Sequence, residues 1–317
     1  MANIFISGKI PEVGYALLDG HDFDVYTGEE LITETELLER VQDVEALLTP
    51  LSTKITRQVM EAAPSLKVIA NFGAGFDNID IAAAKERGII VTNTPKVSTE
   101  ATAELALGLM ISLMRRIPEG DQLCRTKGFN GWAPLFFLGR ELTNKKLGIV
   151  GFGKIGQAVA KRAQAFGMDI YYTGRTRKPQ EIEERYNATY LSFAELLETS
   201  DVITVHSAYT EDTHHLFTKK EFEQMKETAY FLNLSRGPVV KEVDLAEILK
   251  EEGIAGAALD VFEFEPEITA ELKSMDNLVI TPHIGNATIE TRNNMAKLSA
   301  ENILKVLSEQ PALTPVL

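Results

Sequence analysis

The chain has 317 residues, 44% of them hydrophobic and 25% charged, which suits a soluble globular protein of two domains with a sizeable core. Its formal net charge of −14 argues against nucleic acid and against an anionic membrane surface as partners. The single cysteine, Cys124, excludes an intramolecular disulfide and suits a reducing cytoplasm, and the first residues lead straight into a strand-like run, so no signal peptide is expected.

In chain order, the pattern predicts a strand over 3–7, a helix over 11–18 with Pro11 at its start, a strand over 23–26 and a helix over 34–41. Strands over 46–48 and 67–70 follow, with a helix over 55–62 between them. Such alternation predicts a parallel sheet covered by helices. The stretch Asn71-Phe72-Gly73-Ala74-Gly75-Phe76-Asp77 then lies at a strand end, where open α/β sheets bind ligands. From the loop alone, a ligand cradle and a plain turn are equally good readings. Residues 98–114 read as a long helix, apolar around much of its circumference, serving as core or as an oligomer interface. Its apolar run is too short to cross a bilayer. Residues 126–142 hold Phe129, Trp132, Phe136 and Phe137 with no clear period, which leaves local packing, a pocket wall or a subunit contact open.

An apolar strand over 147–150 runs into Gly151-Phe152-Gly153-Lys154-Ile155-Gly156, and a helix follows with Ile155, Val159, Ala163 and Phe166 on one face and Gly167 as its stop. Strand, glycine turn and helix together make the dinucleotide fingerprint. Gly151 permits the tight turn, Gly153 lets the backbone approach a pyrophosphate, and Gly156 lets helix and strand pack closely. The helix N-terminus offers unpaired N–H groups to that anion. A ribose-binding acid is expected about 20 residues on. The chain instead has Thr173-Gly174-Arg175-Thr176-Arg177-Lys178, without a carboxylate and with cations suited to a 2′-phosphate. This favours NADP(H), with NAD(H) as the other option.

Strands over 169–173, 202–205, 229–232, 255–259 and 278–280 continue the series, with helices over 192–198, 219–225 and 243–250 and an amphipathic helix over 290–307. Three of these strands end in chemistry-bearing residues. Arg236 follows the first, Asp260 and Glu265 the second, and His283 the third. An arginine, a carboxylate and a histidine at neighbouring strand ends converge on one crevice. No metal site is expected, since His214 and His215 are adjacent and cannot share a face.

The motifs NFGAGFDNID, GFGKIG, LNLSRGPVV, ALDVFEFEP and TPHIGNAT, in this order, resemble the D-isomer-specific 2-hydroxyacid dehydrogenase family over nearly the whole chain. WAPLFFLGRELT and YYTGRTRKP are most similar to its glyoxylate and hydroxypyruvate reductases. The resemblance implies an α/β fold of two Rossmann-like, doubly wound parallel-sheet domains. A nucleotide domain (98–286) would be inserted into a substrate domain made of 1–97 and 287–317. It also implies a homodimer. By the same resemblance His283 is the general acid/base, Glu265 its paired carboxylate and Arg236 the substrate arginine, while the backbone of Ala74 and Gly75 holds the substrate carboxylate. Cofactor contacts would come from Gly151, Gly153, Lys154, Ile155, Gly156, Arg175, Thr176, Arg177, His206, Thr213, Leu234, Ser235, Asp260 and Gly285, with Asp260 beside the nicotinamide carboxamide. Two positions depart from the family pattern: Ala208 stands where many relatives have proline, and Asn286 where serine is common.

The expected activity is therefore cytoplasmic, NADPH-dependent reduction of a small 2-keto acid, glyoxylate or hydroxypyruvate. Arg236 can fork onto a carboxylate and a ketone oxygen, and His283 can deliver the proton while Glu265 orients the ring. An NADH-linked reductase of a bulkier 2-keto acid, or a nucleotide-sensing regulator of the same fold, remains open at this stage.

Overall fold

Short aliphatic and β-branched runs form twelve strands in the computed structural model, which describes residues 2–316. They are β1 (Asn3–Ile6), β2 (Asp22–Val25), β3 (Ala46–Pro50), β4 (Val68–Phe72), β5 (Ile90–Thr92), β6 (Lys146–Val150), β7 (Asp169–Thr173), β8 (Ala188–Tyr190), β9 (Val202–Val205), β10 (Tyr230–Asn233), β11 (Gly256–Leu259) and β12 (Leu278–Ile280). Every pairing between them is parallel. Strands such as β4, β9 and β11 are buried at every position, as expected where helices cover both faces of a parallel sheet.

The chain divides into two units, one spanning Thr99–Asn286 and the other built from the two flanking segments, up to Ser98 and from Ala287 onward. The unit made from both chain ends has a five-stranded sheet ordered β2-β1-β3-β4-β5. Its C-terminal helix, Ile289–Leu307, buries Met295, Ala296, Ala300 and Ile303 against Ile4, Leu48, Val68 and Ala70. Edge strand β2 keeps Asp22 and Asp24 exposed, charges that discourage pairing with another chain.

The central unit has a seven-stranded sheet ordered β12-β11-β10-β9-β6-β7-β8. The chain winds outward from β6 to β8, then returns to lay β9 against the other side of β6. That reversal makes the β6/β9 boundary the topological switch point, where the carboxyl ends of two neighbouring strands diverge and leave a crevice. The helix Thr99–Met114 shares a core with the helix Lys154–Ala165, and alanines at 103, 106, 160 and 163 keep that packing close.

The predicted elements form with small shifts at their ends, but β5, β8 and the helices Ile81–Glu86, Ile117–Thr126 and Gln180–Arg185 are additions. The run Ile89-Ile90-Val91 after Gly88 carried an overlooked strand signal. Helix Ile117–Thr126 buries no residue, so no core-facing apolar stripe marks it, although Pro118 stands in its first turn. Residues 127–145 form neither helix nor strand.

Candidate functional site

In the central unit, the carboxyl ends of β6, β9, β10, β11 and β12 carry the chemistry-bearing residues. At β6, Gly151 adopts φ +95°, which L side chains rarely adopt, and a Cβ there would sit 2.5 Å from the backbone nitrogen of Ser207. A Cβ at Gly156 would lie 2.4 Å from the carbonyl oxygen of Gly151, so helix and turn meet only because this residue is glycine. At Gly153 nothing lies within 4 Å of the added atom. Gly153 is also the N-cap of helix Lys154–Ala165 and offers no side chain to its N–H groups. An open approach to unpaired helix N–H groups fits a dinucleotide pyrophosphate.

Beyond β7, Thr173 is buried, and the following turn presents its cations unequally. Arg177 donates from Nε and Nη2 to Glu183, each at 2.9 Å. Glu183 also accepts from the Tyr172 hydroxyl at 2.6 Å. These two donors hold the Glu183 carboxyl down at about 2, while burial and that same bond push the Tyr172 phenol up to about 12. Arg177 therefore braces its own turn. Arg175 and Thr176 are exposed, and Arg175 has no hydrogen-bond or ion-pair partner among the described residues. Lys154 and Ile155 open the fingerprint helix.

At the end of β9, the ring of half-buried His206 is cut off from water, which pulls its pKa down to about 3, so the ring is neutral. One ring nitrogen meets Thr204 Oγ1 at 2.9 Å, while among the described residues neither Nδ1 nor the neighbouring Ser207 hydroxyl has a partner. Two buried polar atoms left unpaired at the switch point are what a ligand with hydrogen-bonding groups would satisfy. Thr213 is turned inward, donating to the carbonyl of Ala208 at 2.9 Å and accepting from Thr210 N–H at 2.7 Å.

At β10, Asn233 builds the next turn. Its Oδ1 accepts from the N–H and hydroxyl of Ser235 at 3.0 and 2.9 Å, and its Nδ2 donates to the carbonyl of Arg236 at 3.0 Å. Leu234 and Ser235 are buried. Gly237 lets this turn abut the loop after β11, since a Cβ there would fall 1.8 Å from the carbonyl oxygen of Phe262. Arg236, half-buried, thereby stands close enough to Glu265 to lower its pKa.

The last two strand ends carry the acid/base pair. His283 Nδ1 and Glu265 Oε2 are 2.9 Å apart. Burial disfavours the Glu265 charge, but His283, the Phe262 N–H at 2.9 Å and the field of Arg236 outweigh it and hold the carboxyl below its ordinary range. Glu265 thus stays ionised through neutral pH, and protonating it in acid weakens the pairing. His283 itself sits at φ +51°, an unfavourable value for a side-chain-bearing residue. Buried Asp260 holds that turn: Oδ1 accepts from Thr281 Oγ1 and Ile284 N–H at 2.7 and 2.8 Å, and Oδ2 from Gly285 N–H at 2.8 Å. Burial pushes the Asp260 pKa up, and the three donors oppose it. A second buried carboxylate, Glu242, accepts from the Glu263 and Thr269 N–H groups at 2.6 and 3.3 Å and so anchors the loop bearing Glu265. Asn286 Oδ1 is buried without a partner among the described residues.

In the other unit, the glycine loop after β4 is held by its carbonyls. Asn71 Nδ2 donates to Gly75 O at 2.6 Å, Asn93 Nδ2 to Ala74 O at 2.7 Å, and Thr94 N–H to Gly73 O at 2.8 Å. The N–H groups of Ala74 and Gly75 have no partner among the described residues. Successive unpaired N–H groups in one turn suit an anion. Asn71, Asn93, Asn233, Gly237 and Glu242 were not singled out from the sequence. Asn71, Asn233 and Gly237 lie inside recognisable motifs, whereas Asn93 and Glu242 act through tertiary contacts that no local pattern announces.

Comparison with known proteins gives a consistent set of relatives. The D-isomer specific 2-hydroxyacid dehydrogenase NAD-binding domain matches residues 107–285. A chain from Staphylococcus haemolyticus, provisionally named a 2-hydroxyacid dehydrogenase, is 52% identical over 309 residues, 97% of each chain. A glyoxylate reductase from Paecilomyes thermophila superposes with a TM-score of 0.89 at 32% identity, covering 99% of this chain and 98% of that one. An NADPH-dependent glyoxylate/hydroxypyruvate reductase from Sinorhizobium meliloti, solved with NADP and malonate, gives 0.85 at 32% identity, covering 99% and 96%.

Proposed function

Because the chain belongs to the D-isomer specific 2-hydroxyacid dehydrogenase family, and is thereby an oxidoreductase, we propose that it reduces glyoxylate or hydroxypyruvate to the D-2-hydroxy acid with NADPH. The observation that carries this reading is the 2.9 Å pair of His283 and Glu265, held beside Arg236 at the sheet end that also bears the fingerprint. NADPH, when bound, supplies the hydride to the ketone carbon. Negative charge then develops on the ketone oxygen, where the Arg236 guanidinium stabilises it and His283 delivers a proton. Glu265 accepts from Nδ1, which fixes the ring and leaves Nε2 as the proton-transferring atom. The N–H groups of Ala74 and Gly75 receive the substrate carboxylate. In the reverse direction neutral His283 takes the hydroxyl proton.

For the cofactor, we assign Gly151, Gly153 and Gly156 with the helix N-terminus to the pyrophosphate, and Arg175 with Thr176 to the 2′-phosphate. A hydrogen bond to a charged group contributes about 1.5–3 kcal/mol. Arg175→Ala is therefore expected to raise the KM for NADPH roughly 10- to 150-fold while leaving that for NADH nearly unchanged. Steady-state kinetics with both cofactors checks this, and equal loss with each would show that Arg175 supports the turn instead. The buried polar atoms of His206 and Ser207 are assigned to the nicotinamide half of the cofactor.

We also propose a cytoplasmic homodimer. Among the described residues no helix is long and apolar enough to cross a membrane. The irregular segment after helix Ile117–Thr126 exposes Trp132 by 87% and Leu135 by 84%, with Phe129 and Leu138 also exposed. Contiguous apolar exposure of this kind marks a protein contact. Light scattering is expected to give twice the chain mass at micromolar concentration; a monomer mass would refute the assignment.

A further inference from the structure

We infer that His215 is a positioning residue for the acid/base pair: its ring holds Glu263, and through Glu263 the loop that presents Glu265 to His283; this rests on the activity proposed above. The loop needs such a tie. Phe264, Glu265, Pro266 and Glu267 are all exposed, so no buried apolar side chain fixes that stretch. Glu263, directly before it, is where the loop is fastened. Its Oε2 accepts from the Glu242 N–H at 2.9 Å, and its own N–H donates to Glu242 Oε1 at 2.6 Å. The other oxygen, Oε1, meets His215 Nε2 at 2.6 Å. Facing a carboxylate, Nε2 is the donor. Only 9% of the Glu263 side chain is exposed, so water cannot readily replace that donor once it is removed.

His215 is itself held in a particular way. Its backbone sits at φ +50°, which brings its ring onto that of the adjacent His214 with centroids 3.9 Å apart, although neighbouring side chains ordinarily diverge. Tyr209 Oη meets His214 Nδ1 at 3.2 Å and so secures the outer ring of the stack. The His215 N–H donates to the Pro238 carbonyl at 2.8 Å. One residue of the segment after β9 thereby ties, through its backbone, the turn that follows Arg236 and, through its ring, the loop that leads to Glu265. A left-handed side-chain-bearing residue persists where its surroundings over-determine it, and such residues gather at functional sites. Catalysis is sensitive to the alignment at stake, since a misplacement of about 1 Å can cost roughly 10²-fold in rate. Releasing Glu263 loosens the 2.9 Å pairing of Glu265 with His283 and leaves the glycine fingerprint, at the end of β6, untouched.

The test uses the full-length protein carrying His215→Asn or His215→Gln, each alone and combined with Glu265→Gln. Asparagine tolerates the left-handed backbone but places its amide where Nδ1 stands, whereas glutamine reaches the Nε2 position and keeps the donor. His215→Asn is expected to lower kcat on glyoxylate or hydroxypyruvate about 10- to 100-fold with the KM for NADPH unchanged, and His215→Gln to recover most of the rate. In the Glu265→Gln background His215→Asn is expected to change kcat by less than about twofold, because the group it positions is already gone. An equal loss in both backgrounds, or no loss in either, overturns the inference. A second readout needs no substrate: the chain has five histidines, so nuclear magnetic resonance of isotope-labelled histidine rings is tractable, with His283→Ala identifying the His283 signals. The Nδ1 proton of His283, deshielded by Glu265 in the wild type, is expected to lose that signature in His215→Asn and regain it in His215→Gln; an unchanged signal in His215→Asn overturns the inference. If His215→Asn fails to fold, His215→Phe, which keeps a ring against His214 and removes the donor, is read by the same criteria. Wild-type protein that turns over no 2-keto acid would refute the proposed activity alone, and the His283 ring signals would still decide the role of His215.

Discussion

His283→Ala is expected to lower turnover of a 2-keto acid by roughly 10²–10⁴-fold, the usual worth of a positioned general acid. The ring is unusually well fixed. It meets Glu265 at 2.9 Å, and its backbone is held at φ +51° by a turn that buried Asp260 clamps through three donors. A left-handed conformation at a non-glycine residue costs of order 1–3 kcal/mol and persists where the surroundings over-determine it. Alanine at 283 removes the imidazole without touching the Asp260 clamp, so folding and NADPH affinity are expected to stay close to wild type. Rapid-quench measurement of a single turnover isolates the chemical step from product release. A variant that retains near-normal single-turnover rates would show that the proton comes from elsewhere.

Arg236→Gln should produce the second large effect, a fall of about 10²–10³-fold in kcat, comparable to removing one preorganised donor from a developing oxyanion. Glutamine keeps a donor but loses the charge and the fork. Arg236→Lys keeps the charge alone and should recover only part of the rate. The turn that presents Arg236 is built by Asn233 and Gly237, with Arg236 Nη1 adding one bond to the Ser235 carbonyl at 2.9 Å, so both variants are expected to fold. Steady-state kinetics separates the possibilities. A raised KM with unchanged kcat would mean that Arg236 binds ground state and transition state equally, and would remove it from the chemistry.

The alternation of apolar runs and helical periods made two parallel α/β layers legible, because buried parallel strands are short, continuous and bounded by turns. The fingerprint was legible for a different reason: its glycines answer to steric demands visible at Gly151 and Gly156. Three strand ends bearing Arg236, Glu265 and His283 could be placed on one sheet edge from order alone. Their supports could not. Asn93 reaches Ala74 across 19 residues and Glu242 reaches Glu263 across 21, contacts that only the fold creates. The cation-rich turn shows the opposite limit. Arg175 and Arg177 look equivalent in sequence, yet Glu183 on the following helix engages the second and leaves the first to solvent.

The central claim is tested most directly by following NADPH oxidation through the nicotinamide absorbance with purified protein across a panel of 2-keto acids. The account predicts the highest kcat/KM for glyoxylate or hydroxypyruvate, with NADPH preferred over NADH. No turnover of any 2-keto acid, or a clear preference for NADH and a bulkier substrate, would contradict it.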